Sequence, residues 1–206
     1  MTTKHVSFPC GDITLEGELQ LPDGKGPFPG VVVCHPHPLR GGDMENNVVV
    51  AVCQALVAKS IAALRFNFRG VGNSGGTFGG GMSEQDDVKA ALDFLATAPN
   101  IDLEKIGLAG YSFGAGVALA VALQDERVGR LALVALPLQN SGWKDLKNYN
   151  KPKFVIVGEA DSFVSVEQIR QNLTATQYQI IPDVNHFWWG HEKAMADRVA
   201  YFFSTS

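Results

Sequence analysis

Five short, largely apolar runs that do not alternate with polar residues, separated by helical patterns, constrain this chain more than any other feature. They are Gly30–Cys34 (GVVVC), Ile61–Phe66 (IAALRF), Ile106–Tyr111 (IGLAGY), Leu131–Leu136 (LALVAL) and Phe154–Gly158 (FVIVG). A strand with one solvated face alternates polar and apolar residues, whereas a strand covered on both faces does not. These runs therefore predict the buried strands of a parallel sheet. Between them, Val88, Ala91, Leu92 and Leu95 fall at i, i+3, i+4 and i+7, one apolar helical stripe, and Met195, Val199, Phe202 and Phe203 make a similar one. Ser83-Glu84-Gln85-Asp86 precedes the first stripe as a capping signal. Phe113 to Leu123 carries no charge, which predicts a helix buried at the centre. Residues 5–10 and 13–20 straddle Gly11-Asp12, and Thr14, Glu16 and Glu18 alternate with Ile13, Leu15, Gly17 and Leu19. That alternation predicts an antiparallel hairpin at the sheet edge. The fold class is α/β: a mostly parallel central sheet with helices on both faces, joined by right-handed crossovers.

The chain has 206 residues, 46% of them hydrophobic, enough for one sizeable core, so a single domain over 1–206 is expected. Acidic residues outnumber basic ones 21 to 17 and no Lys/Arg run occurs. A nucleic-acid partner thus has no electrostatic footprint. The N-terminal residues lack the apolar run of a signal peptide, and no apolar stretch reaches the length of a membrane span. A cytoplasmic protein without a membrane partner is expected. Cys10, Cys34 and Cys53 are odd in number and lack metal-ligand spacing; Cys34 and Cys53, in apolar runs, read as buried free thiols. Gly75–Gly81 (GGTFGGG) reads as a flexible loop, too short to separate domains.

Gly110-Tyr111-Ser112-Phe113-Gly114 fits G-x-S-x-G. Five residues with three fixed are weak alone, but here they join a buried strand to an uncharged helix. The turn must be sharp and strained, and flanking glycines leave space for it. It holds the Ser112 hydroxyl above the sheet at a helix N-terminus, whose dipole favours developing negative charge. The alternative is an ordinary Gly-rich turn with a surface serine. A serine nucleophile needs a base, and the base an orienting carboxylate. With such an elbow they follow in the order Ser, Asp/Glu, His. Only His186 and His191 follow Ser112. His186 lies in a loop after the strand-like Tyr178–Ile181, whereas His191 opens the last helix, so His186 is the base. Asp161 follows the strand FVIVG and is the acid. Asp183, a turn residue after Pro182, is its main rival; Glu159 and Asp145 are weaker ones.

An acyl intermediate also needs N–H donors for its oxyanion. One is the backbone N–H of Phe113. The second comes from the loop His35-Pro36-His37-Pro38-Leu39-Arg40-Gly41-Gly42, where the prolines cannot donate. His37 is the first choice and Leu39 the alternative. His35 and His37 have no neighbouring carboxylate or helical i, i+4 partner, so no metal site is read there. Gly70-Val71-Gly72-Asn73-Ser74-Gly75 matches G-x-G-x-x-G, but Gly76-Thr77-Phe78-Gly79-Gly80-Gly81 follows instead of a helix start, so dinucleotide binding is rejected. Asn172-Leu173-Thr174 is a glycosylation sequon without a secretory signal.

Taken together, the chain resembles the α/β-hydrolase superfamily over nearly its whole length, and in particular small lidless prokaryotic dienelactone-hydrolase-like proteins and carboxylesterases. The resemblance is carried by His35-Pro36-His37-Pro38 with Gly41-Gly42 and Asn46, by Arg65 to Ser74, by the Ser112 elbow, by Gly158 with Asp161, and by the His186 loop. Arg69-Gly70 resembles the family's D-x-R-G-x-G-x-S segment, with Asn67 where Asp is frequent, and is read as structural support. Dienelactone hydrolases proper use a cysteine where this chain has Ser112. Many lipases of the superfamily insert a cap after the sixth strand; here only residues 137–153 separate Leu136 from Phe154, too few for one. Trp143 in that segment is a candidate pocket residue. The resemblance implies hydrolysis of small-molecule, short-chain carboxylic esters through an acyl-enzyme, with no cofactor, by a monomer or homodimer. Thioesterase, peptidase and perhydrolase chemistry share the same residues, and a catalytically silent binding protein is the rival from another class.

Overall fold

The computed structural model describes residues 1–137, 142–173 and 177–205, apart from the side chains of residues 142 and 143. Its strands are β1 (Thr2–Cys10), β2 (Ile13–Leu21), β3 (Phe28–Cys34), β4 (Ala62–Phe66), β5 (Ile101–Tyr111), β6 (Val128–Val134), β7 (Lys153–Gly158) and β8 (Gln177–Ile181). They form one sheet in the order β1-β2-β4-β3-β5-β6-β7-β8. From β4 to β8 neighbouring strands are parallel, while β2 pairs antiparallel with both β1 and β4. All five apolar runs lie in strands of this sheet. β6 ends at Val134, short of Leu136, because Ala135 takes φ +48° and turns the chain out of the sheet.

Six helices complete the layers: α1 (Asn47–Ala58), α2 (Glu84–Thr97), α3 (Phe113–Ala122), α4 (Gly142–Asn148), α5 (Val166–Asn172) and α6 (Glu192–Ser204). α1 packs on α6, and α2 packs on α3. Right-handed crossovers put these two pairs on opposite faces of the sheet. The stripes Val88/Ala91/Leu92/Leu95 and Met195/Val199/Phe202/Phe203 are buried, each large apolar side chain stabilising the fold by about 1.5–3 kcal/mol. Phe8 of β1 stacks on Phe94 of α2, with ring centroids 5.0 Å apart, which ties the edge hairpin to the helical layer. Between β6 and β7 the one described helix is the short α4, and no cap covers the strand ends among the described residues.

Two local expectations change. Ser83 makes no side-chain cap; instead the buried Glu84 carboxylate accepts from Gly79 N–H and Gly81 N–H, both at 2.7 Å, and so holds the glycine loop. Glu18, which alternation along β2 would put on a solvated face, is buried beside β4. There it pairs with Arg65 at 2.9 Å and accepts from Gln20 at 2.8 Å. Arg65 also bonds Glu45 at 3.0 and 3.1 Å, so removal of Arg65 is the change that strands a buried charge, that of Glu18.

Candidate active site

The chain changes direction across the sheet at β3: β4 lies on one side of it and β5 on the other. In an open α/β sheet this switch point leaves a crevice at the carboxyl ends of the strands. The loops after β3, β5, β7 and β8 all open at that end, and they carry His37, Ser112, Asp161 and His186 respectively.

Ser112 joins β5 to α3 at φ 53° and ψ −118°, a left-handed conformation that non-glycine residues rarely take. Close backbone packing enforces it. A Cβ on Gly110 would stand 2.3 Å from Gly114 O, and one on Gly114 would stand 2.4 Å from His35 O. Ser112 N–H is bonded to Val134 O of β6 at 2.9 Å, so the turn is stitched to the neighbouring strand.

The structure brings Ser112, His186 and Asp161 into one hydrogen-bonded chain. His186 Nε2 stands 3.0 Å from Ser112 Oγ, and His186 Nδ1 stands 2.8 Å from Asp161 Oδ2. With the carboxylate as acceptor, Nδ1 carries the proton and Nε2 faces the hydroxyl as acceptor. The Asp161 side chain is fully buried. Its other oxygen accepts from Phe163 N–H at 2.8 Å and Val164 N–H at 3.1 Å, so its lone pairs are satisfied and its orientation is set. The rivals are elsewhere. Asp183 occupies a turn at φ 58°, Glu159 pairs with Arg170 at 3.4 Å, and His191 precedes α6 as its N-cap. Asp145 lies in the first turn of α4.

Phe113 N–H and His37 N–H take no protein acceptor among the described residues. Leu39 N–H donates to His37 Nδ1 at 3.2 Å, within the turn Pro38–Arg40. The His37 ring lies 5.0 Å from the rings of both Phe78 and Phe113. His35 is fully buried, with Nδ1 donating to Pro36 O at 2.7 Å and Nε2 accepting from Phe68 N–H at 3.0 Å. Both of its nitrogens therefore brace the loop against the β4 end, and burial pushes its pKa down to about 4. Trp143 sits in α4, and its side chain lies outside the described residues.

Asn67 supports the floor. Its Oδ1 accepts from Met44 N–H at 2.8 Å and its Nδ2 donates to Glu16 Oε1 at 2.7 Å. An aspartate here would set two carboxylates against each other, which explains the amide. Glu16 also binds Asn73 through the backbone N–H at 2.6 Å and the side chain at 2.8 Å, and these donors hold its pKa below the usual value against its desolvation. Gly72, at φ 56°, leaves room for this cluster. Sequence reasoning missed Tyr111, whose hydroxyl donates to His186 O at 2.8 Å. It occupies a variable position of the elbow pattern, so no local signal marks it. A cleft of about 560 Å³, lined in part by Phe28, Ile106, Arg130 and Phe203, opens at the amino ends of the strands, away from Ser112.

Residues 81–197 match the dienelactone hydrolase family. A protein of Rickettsia prowazekii described as uncharacterised is 34% identical over 78% of this chain and 72% of its own length. A longer protein of Escherichia coli, similarly described, is 24% identical over 70% of this chain, which spans 50% of that protein. An α/β serine hydrolase homologue from Coxiella burnetii superposes with a TM-score of 0.87 and 31% identity, over 98% of this chain and 97% of that one. A lidless serine hydrolase from Xanthomonas campestris does so at 0.83 and 29%, over 98% and 94%.

Proposed function

Because this chain belongs to the dienelactone hydrolase family, with the lidless α/β serine hydrolase fold, we propose that it hydrolyses carboxylic esters through an acyl-enzyme on Ser112. The observation that carries this reading is the continuous hydrogen-bonded chain from Ser112 Oγ through the His186 ring to the buried Asp161 carboxylate. Ser112 Oγ attacks the carbonyl carbon as His186 Nε2 takes its proton, and Asp161 stabilises the imidazolium that forms. His186 then returns the proton to the leaving oxygen as the C–O bond breaks. Water repeats the sequence on the acyl-enzyme and releases the acid. The free N–H groups of Phe113 and His37 receive the oxyanion, and the N–H of Leu39, already bonded, stands aside.

An uncapped site favours short acyl groups, since little wall exists among the described residues to bury a long chain. Ser112→Ala is expected to abolish hydrolysis of p-nitrophenyl acetate and butyrate while circular dichroism and melting temperature hold. Hydrolysis retained in that variant overturns the assignment. The same residues serve thioester, amide and perhydrolytic chemistry, and a substrate panel ranks these activities. A fluorophosphonate that leaves Ser112 unlabelled would favour a silent binding protein.

A further inference from the structure

We propose that Phe163, Phe187 and Trp189 form a leaving-group ledge beside His186, which selects esters whose alcohol moiety carries a planar aromatic ring. This rests on the Ser112 hydrolase reading and names the substrate class of that site. All three side chains are exposed, at 53%, 45% and 70%. Large apolar side chains left in water singly are ordinary; two against one imidazole with a third stacked on one of them are not. The Phe163 ring centroid lies 4.6 Å from that of His186 and the Phe187 centroid lies 5.7 Å from it. Trp189 stacks on Phe187 at 5.0 Å with the ring planes within 17°.

The ledge is built rather than incidental. Trp188, between the two stacked residues, adopts φ 62° and is fully buried, and its indole N–H lacks an acceptor among the described residues. A strained backbone and an unsatisfied buried donor are both unfavourable, and they persist only where surrounding structure enforces them. Their effect is to turn Trp188 inward and set its two neighbours side by side in solvent. The segment is pinned as well. Phe187 O accepts from Asn47 Nδ2 of α1 at 3.2 Å, and Phe187 N–H donates to Asn185 Oδ1 at 3.0 Å. Phe163 N–H is held by Asp161, so one carboxylate orients both the base and the first ring of the ledge.

Proton transfer decides which end of the substrate meets these rings. The leaving oxygen receives its proton from His186 Nε2 and must come within about 3 Å of it. The carbonyl oxygen, by contrast, points at the Phe113 and His37 N–H groups. The alcohol substituent therefore extends from His186 over the rings that flank it. Offset stacking on Phe187 and Trp189 favours a flat ring over an alkyl chain of equal size.

The test holds the acyl group constant. With acetates of alcohols of similar acidity, the wild-type protein is expected to show kcat/KM at least tenfold higher for benzyl and 2-naphthylmethyl acetate than for ethyl and cyclohexylmethyl acetate. Phe187→Ala and Trp189→Ala are expected to lower the aromatic values about tenfold and the ethyl value far less, so that the aromatic-to-ethyl ratio falls at least fivefold. Phe187→Leu, which keeps an apolar side chain and removes the ring, is expected to follow Phe187→Ala. Equal losses on all four esters, or none, overturn the proposal. So does a change of sedimentation mass with no change in selectivity, which assigns the patch to contact between copies of the chain. Fluorophosphonate labelling separates the two readings: labelled Ser112 without aromatic preference ends the ledge alone, whereas unlabelled Ser112 ends the hydrolase reading and the ledge with it.

Discussion

The two sides of the site are held by different means. The Ser112 elbow is backbone packed on backbone: Gly110 and Gly114 sit where any Cβ would strike a carbonyl, and Ser112 N–H is bonded across to β6. The His186 loop is held by side chains, with Asp161 on the ring, the Tyr111 hydroxyl on the His186 carbonyl and Asn47 on the carbonyl of Phe187. A backbone joint tolerates almost no change in volume and gives the Ser112 side chain one position. A joint made of side chains can be loosened one bond at a time, which suits the proton transfer proposed for His186.

Asp161→Asn tests the side-chain joint hardest. It keeps the shape, reverses the hydrogen-bonding preference at Nδ1, and is expected to lower kcat by about 10⁴, or roughly 5 kcal/mol, with a nearly unchanged melting temperature. A loss below tenfold would mean that the carboxylate is not what orients the base. Gly114→Ala tests the backbone joint: the new methyl would meet His35 O and Cys34 O at 2.4 and 2.5 Å. It is expected to cost about 3 kcal/mol or more in urea unfolding. Wild-type stability in that variant would show the elbow to be looser than its packing implies.

His35 gives the backbone side a pH signature. Its pKa is about 4 folded against an ordinary 6.5, so between these values the unfolded chain binds a proton that the folded chain refuses. This contribution to stability is complete above about pH 6.5 and is lost as pH falls towards 4, by about 2 kcal/mol between pH 7 and pH 5. His35→Gln is expected to be less stable at pH 7 yet to flatten that slope in denaturant titrations. An unchanged slope would remove His35 from the account. The smallest effect is expected of Tyr111→Phe, which frees the His186 carbonyl alone: about 1 kcal/mol in stability and a few-fold in kcat. A loss as large as that of Asp161→Asn would erase the contrast between the two joints.

Legibility in the sequence followed the range of the interactions. Short apolar runs bounded by turn residues read as strands covered on both faces, the longer uncharged run after the elbow reads as a buried helix, and the glycines of the elbow mark a turn that needs them, so the sheet, the central helix and the elbow at Ser112 were readable from neighbouring residues. Asp161 and His186 were readable as candidates because each follows a strand. Glu18 was not, because its burial depends on Arg65 of β4, 47 residues away in sequence and adjacent only across the sheet. The capping signal at Ser83 marked the start of α2 but not its hydrogen bonds, because the Glu84 carboxylate serves the glycine loop behind it and Ser83 makes no side-chain cap.

By itself, then, the sequence determined the layers of the fold, the position of the elbow and the short list of partners for Ser112, because strand burial, turn sterics and residue chemistry act over a few neighbours. Tertiary structure alone decided that the His186 ring lies 3.0 Å from Ser112 Oγ and that Leu39 N–H is already engaged. It alone turned Trp188 inward and set Phe187 and Trp189 in solvent, with Phe187 against His186. Those outcomes depend on where strand ends converge and on which hydrogen bonds are satisfied once they do, and no local pattern of residues encodes a distance between loops of different strands.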